Sequence, residues 1–67
     1  MKITLNNREE HIDAEELTLQ ELIERKKFSF RLLVTKVNGK LVKRDERTAR
    51  TIHDGDDVKI LHMISGG

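Results

Sequence analysis

Thr18-Leu19-Gln20-Glu21-Leu22-Ile23-Glu24-Arg25-Lys26-Lys27 is the segment on which the reading of the fold turns, because its apolar residues recur with a helical period. Thr18 and Glu21 have the spacing of a capping box, in which each side chain satisfies a backbone N–H at a helix start, so a helix is predicted to begin near Leu19. Leu19, Leu22 and Ile23 fall at i, i+3 and i+4 and form one apolar stripe, while Gln20, Glu21, Glu24 and Arg25 face water. Leu17, just before the cap, can pack against Leu22 or Ile23. Arg25, Lys26 and Lys27 put positive charge near the helix C-terminus, where the macrodipole favours it. A helix with a single apolar stripe needs a surface to bury it against, and the flanking segments supply one.

Upstream, Met1, Ile3 and Leu5 alternate with Lys2, Thr4 and Asn6, the period of a strand with one buried face. Asn6-Asn7 offers a turn, and His11 and Asp13 alternate with Ile12, which predicts a short second strand and a hairpin. Downstream, Leu32, Leu33, Val34 and Val37 end at Asn38-Gly39, a dipeptide suited to a tight turn with positive φ, followed by a return strand at Lys40 to Val42. Residues 43 to 53 lack a sustained period and read as an irregular segment pinned by Ile52. His53-Asp54-Gly55-Asp56 is a second turn signal, and Val58 to Ile64 reads as the final strand. One helix across one face of a small mixed sheet buries all of these stripes, an α+β arrangement. It places Ile3 and Leu5 beside Val58 and Ile60, with the first and last strands adjacent at the centre of the sheet.

Composition narrows the class. With 67 residues, 36% of them apolar and 37% charged, the chain is read as one globular, soluble domain with a thin core. The absence of cysteine excludes a disulfide scaffold, a thiolate zinc site and a thiol nucleophile. No apolar run approaches the roughly 20 residues of a membrane span, and the N-terminus lacks the plan of a signal peptide, so a cytoplasmic location is expected. A net charge of +1 gives no bulk attraction to nucleic acid. The charge is segregated, with seven acids and no Lys or Arg across residues 9 to 24, and Lys36, Lys40, Lys43, Arg44, Arg47 and Arg50 making the middle basic. Solvated surface accounts for such segregation, and choice of partner is the second use for it.

The layout resembles the β-grasp, the fold of ubiquitin and of the prokaryotic sulfur carriers. The resemblance rests on Thr18 to Leu22, on Val37-Asn38-Gly39, on Asp54-Gly55-Asp56 and on the final Ile64-Ser65-Gly66-Gly67. In the ThiS family of thiamine biosynthesis similar elements occur in this order over a chain of about this length. With Gly at roughly 7% of residues, a Gly-Gly end arises by chance in about 0.5% of chains. Many relatives carry a Pro after the strand that follows the Asn-Gly turn and an aromatic residue a few positions later, where this chain has Lys43 and other charged residues. The MoaD carriers are usually longer and often have prolines before their glycines, so zero Pro and the short chain favour the ThiS type.

The resemblance implies a single sulfur-carrier domain over residues 1–67, with a flexible tail over about 64–67, that is itself no enzyme. An adenylating enzyme of the ThiF type would use ATP and Mg²⁺ to convert Gly67 to an acyl-adenylate. Sulfur from a donor such as a cysteine desulfurase would then replace AMP and give a thiocarboxylate, and a ThiG-like thiazole synthase would receive it. The carrier binds no cofactor of its own in this scheme. Gly66 and Ser65 are the residues that would thread the partner's channel, Gly66 because a residue without Cβ enters a narrow passage and Ser65 as a small tail residue. Other sulfur acceptors (molybdopterin, cysteine synthesis, tRNA thiolation) and conjugation of Gly67 to target lysines, as in ubiquitin-like modifiers, are the alternatives.

The final strand also suggests a docking surface. Val58, Ile60 and His62 share one face, and Lys59, Leu61 and Met63 the other. If the first set packs under the helix, Leu61 and Met63 are exposed and in register, and they are candidates for partner contact. Other constellations carry less. His11, His53 and His62 lie in separate elements without metal-ligand spacing. Glu9-Glu10 and Glu15-Glu16 would need a cleft that so small a domain is not expected to enclose. No catalytic residue and no metal ligand is therefore expected.

Overall fold

The two asparagine turns set the sheet. Asn6 and Asn7 both adopt positive φ (50° and 69°), as do Asn38 and Gly39 (52° and 82°), the backbone sign required at both central residues of a two-residue hairpin loop whose twist matches its strands. The structure is a computed structural model and describes residues 1–28 and 32–63. The first turn joins β1 (Lys2–Leu5) to β2 (Arg8–His11), and the second joins β4 (Leu33–Val37) to β5 (Lys40–Val42). Between the hairpins lie β3 (Leu17–Thr18) and the helix α1 (Leu19–Arg25). After them come a 3₁₀ turn at Arg44–Glu46, β6 (Thr51–Ile52) and β7 (Asp57–His62).

Five strands form one sheet in the order β2-β1-β7-β4-β5, with β1 and β7 parallel and the other pairs antiparallel. The first and last strands are neighbours as expected, and Leu5 stands opposite Val58. This is the β-grasp arrangement, an α+β fold. Ile3 and Leu5 of β1, Val37 of β4, Val42 of β5 and Val58 and Ile60 of β7 join Leu19, Leu22 and Ile23 of α1 in a single buried cluster. Leu17 belongs to the same cluster, so the residue before the cap does pack with the helix stripe.

The capping box forms as the spacing predicts. Thr18 Oγ1 accepts from the Glu21 N–H at 3.1 Å, and Glu21 Oε1 accepts from the Thr18 N–H at 2.8 Å. At the other end Lys26 reaches back to Glu10 on the helix side of β2 at 2.8 Å.

Two segments and one side chain differ from the sequence reading. The second strand is Arg8–His11, not the segment around Ile12. A two-residue loop at Asn6-Asn7 fixes Leu5 opposite Arg8 and Lys2 opposite His11, so the strand starts directly after the turn and Ile12 is reached only at its end. Ile12 instead caps the end of the core: its N–H donates to Met1 O at 2.8 Å, and the terminal ammonium of Met1 donates to Ile12 O and Ala14 O at 2.7 and 3.0 Å. The segment 43 to 53 is more ordered than its lack of period suggests. Thr51 and Ile52 pair with Thr18 and Leu17, and Ile52 is fully buried. The described part of β7 runs to His62, and Ile64, where the sequence reading ends the strand, lies outside the described residues; of the expected inward set, Val58 and Ile60 are buried and His62 is exposed.

Candidate functional site

The strand that leads to the C-terminal residues is held on both sides. Toward β4, the ladder continues one step beyond His62, where the Met63 N–H donates to Leu32 O at 2.9 Å. On its other side β1 has already turned away, and the Asn6 side chain takes over the role of a strand. Asn6 Nδ2 donates to Ile60 O at 3.0 Å, and Asn6 Oδ1 accepts from the Ile60 N–H at 2.8 Å. The start of β7 is tied by Asn38, whose Oδ1 accepts from the Asp57 N–H at 2.9 Å and whose own N–H donates to Asp57 O at 2.7 Å. Paired backbone groups of this kind leave β7 little freedom to shift register.

Register then decides which side chains share its outer face. Val34 stands directly opposite Leu61, and Lys36 opposite both Lys59 on β7 and Leu41 on β5. Leu32 and Met63 are the next pair in that series. Leu61 and Met63 are 46% and 45% exposed, as the alternation of the final strand implies. Leu32 and Leu41 are the other large exposed apolar side chains among the described residues. Thus Leu32, Val34, Leu41, Leu61 and Met63 lie on the side of the sheet away from the helix, with two lysines among them. Directly opposed like charges are unfavourable. Lys59 is drawn off by Asn7 Oδ1 at 2.9 Å and Asp57 at 3.6 Å.

This patch is larger than the Leu61 and Met63 pair expected from the final strand. Leu32, Val34 and Leu41 join it because the pairing of β4 with β7 brings together residues far apart in sequence, and no local pattern reports which residue faces which. The alternation of Leu32 and Val34 around Leu33 is the one signal of it in the sequence.

Beyond the end of β5, the edge of β4 is finished by a side chain. Arg47 Nη2 donates to Leu33 O at 2.7 Å and Nε donates to Thr35 Oγ1 at 3.2 Å, while Thr35 Oγ1 donates to Val42 O at 2.7 Å. The basic middle segment suggests solvated surface for Arg47, yet the residue is 7% exposed. Burial, and then the like charge of Arg44, hold its guanidinium below the usual arginine pKa.

The remaining candidates separate. Ser65, Gly66 and Gly67 lie outside the described residues. The three histidines stay apart: His11 meets Glu9 at 3.2 Å and His53 meets Glu16 at 3.4 Å, on exposed surface. Among the described residues no group of three or more His, Cys, Asp or Glu is placed to hold a metal ion, and no helix is long and apolar enough to cross a membrane.

Two solved structures are similar to the chain over its whole length. The crystal structure of a thiamine biosynthesis protein, ThiS, from Geobacter metallireducens matches with a TM-score of 0.90 and 32% identity, covering 100% of both chains. A solution NMR structure of a thiamine biosynthesis protein from the same organism matches with a TM-score of 0.82 and 32% identity, covering 100% of this chain and 88% of the other. No curated protein sequence matches. The ThiS family model matches residues 2–67, and with the fold shared with these structures over the whole chain this makes the chain a member of the ThiS family.

Proposed function

We propose that this chain is a sulfur carrier of thiamine biosynthesis, acting through the carboxylate of Gly67. The observation that supports this most is the family match, which extends from residue 2 through Gly66-Gly67. A carboxylate is a poor electrophile because it is anionic and lacks a leaving group. Attack of its oxygen on the α-phosphate of ATP, with loss of pyrophosphate, gives an acyl-adenylate; the terminal sulfur of a donor persulfide then displaces AMP to give an acyl disulfide, whose S–S bond a thiol reductant cleaves. The product is a thiocarboxylate whose sulfur is ionised and nucleophilic at neutral pH. In this scheme a ThiF-like enzyme supplies ATP, Mg²⁺ and the adenylation site, a cysteine desulfurase or similar donor supplies the sulfur, and a ThiG-like thiazole synthase accepts it. The chain contributes the reacting carboxylate, the narrow Ser65-Gly66-Gly67 approach to it, and a docking face built on Leu61 and Met63.

Docking is needed because fixing a backbone in an enzyme's channel costs roughly 1–2 kcal/mol per residue that becomes ordered, which contacts elsewhere must offset. Mass spectrometry of the intact protein, after incubation with ATP, the adenylating enzyme and a sulfur donor, tests the reading. A gain of about 16 Da, one oxygen replaced by sulfur, is expected, and deleting Gly67 or extending the chain beyond it abolishes the gain. Equal activity of extended and native protein in supporting thiazole formation refutes it. Higher-mass conjugates that survive denaturant and thiols identify a protein modifier instead.

A further inference from the structure

Arg47 has hydrogen-bonding capacity that the fold does not use. Its Nε and Nη2 are satisfied by Thr35 and Leu33. Among the described residues Nη1 has no partner, and no buried side-chain nitrogen or oxygen there lacks one, so Nη1 is not a buried, unsatisfied atom and can take a partner from outside the fold. No carboxylate pairs with Arg47 among the described residues, and the charged neighbour that perturbs it is another cation, Arg44. A largely buried charge without a counter-charge is costly. Both arginines line one cleft of about 340 Å³, together with Leu32, Leu33, Val34 and Met63.

We propose that this cleft is a carboxylate-binding site, and that its occupant is an Asp or Glu side chain of the enzyme that activates Gly67. The proposal rests on the carrier reading for the identity of that enzyme. A carboxylate seated between Arg44 and Arg47 relieves their mutual repulsion and gives Nη1 an acceptor. Charge-assisted bonds from a planar guanidinium suit a carboxylate. The apolar walls favour an acid carried on an aliphatic stem by a protein over a free, strongly hydrated phosphate. Val34 and Met63 belong both to this cleft and to the outer face that carries Leu61, so one partner surface can cover the two together.

The test uses the full chain and its adenylating enzyme. Arg44 is exposed, so Arg44→Glu is expected to keep the melting temperature of the native protein. It should weaken binding to the enzyme by about tenfold or more, the equivalent of about 1.4 kcal/mol, with Arg44→Lys recovering most of the affinity. Native affinity should fall with added salt, and that of Arg44→Glu should fall less. An unchanged dissociation constant for Arg44→Glu overturns the proposal. The source of the anion is tested on the chain alone, by following the arginine side-chain NMR signals during titration with acetate and with inorganic phosphate. Signals at Arg44 and Arg47 that respond to phosphate and not to acetate overturn the assignment to a carboxylate. Adenylation of the native chain is measured in parallel. If it does not occur, the carrier reading fails; if it occurs while Arg44→Glu binds normally, only the carboxylate site fails.

Discussion

Removing the two side chains Leu61 and Met63 should separate docking from folding. Each is a little less than half exposed, so about half of its surface is still available to a partner. Burying a Leu or Met side chain completely is worth about 1.5–3 kcal/mol, and covering the exposed half therefore contributes about 1 kcal/mol per residue. Leu61→Ala with Met63→Ala should cost about 2 kcal/mol of binding, roughly a 30-fold rise in the dissociation constant. Leu61→Glu with Met63→Glu should cost more, because apolar contact is replaced by two charges that the partner must desolvate on closing over the face. Stability should change little, since neither residue belongs to the core cluster. Isothermal titration against the adenylating enzyme gives the affinity, and thermal unfolding reports the fold. Native affinity in the double glutamate variant, with an unchanged melting temperature, would refute the docking assignment.

Other perturbations probe the fold. Ile52→Ala empties a fully buried position and should cost about 2–5 kcal/mol, a large share of the stability of so small a domain; denaturant melts measure it, and a loss well short of that range would show that β6 does not close the core. Glu21 has its carboxyl held below the ordinary glutamate value, first by the Thr18 backbone N–H and then by the Thr18 side chain. Its folded pKa is the lower one, so the capping contribution is present above the ordinary glutamate pKa and is lost as pH falls through the lowered value; NMR titration should find it below a glutamate free of such bonds. Gly55 has φ +88°, and no atom lies within 4 Å of the place a Cβ would take, so Gly55→Ala meets no clash and should cost only the conformational penalty, roughly 1–2 kcal/mol, read from the shift in the unfolding midpoint.

The sequence by itself determined the helix, its cap and its buried stripe, because a capping box and an i, i+3, i+4 pattern are local and nothing in the tertiary structure opposes them. It also determined both hairpin turns, where paired positive-φ residues leave few alternatives, and the inward set Ile3, Leu5, Val58 and Ile60. It pointed to Leu61 and Met63 through the alternation of one strand. Only the tertiary structure decided the rest. Strand β2 carries no apolar alternation and exists because a two-residue turn delivers it to β1. The pairing of Ile52 with Leu17, and of β4 with β7, joins segments whose sequences hold no record of each other, so the full outer face that includes Leu32, Val34 and Leu41 emerges only when the sheet closes. Arg47 is the clearest case: a charged residue in a basic segment reads as solvated surface, and its burial follows from an unpaired carbonyl at the edge of β4 that its guanidinium is in position to satisfy.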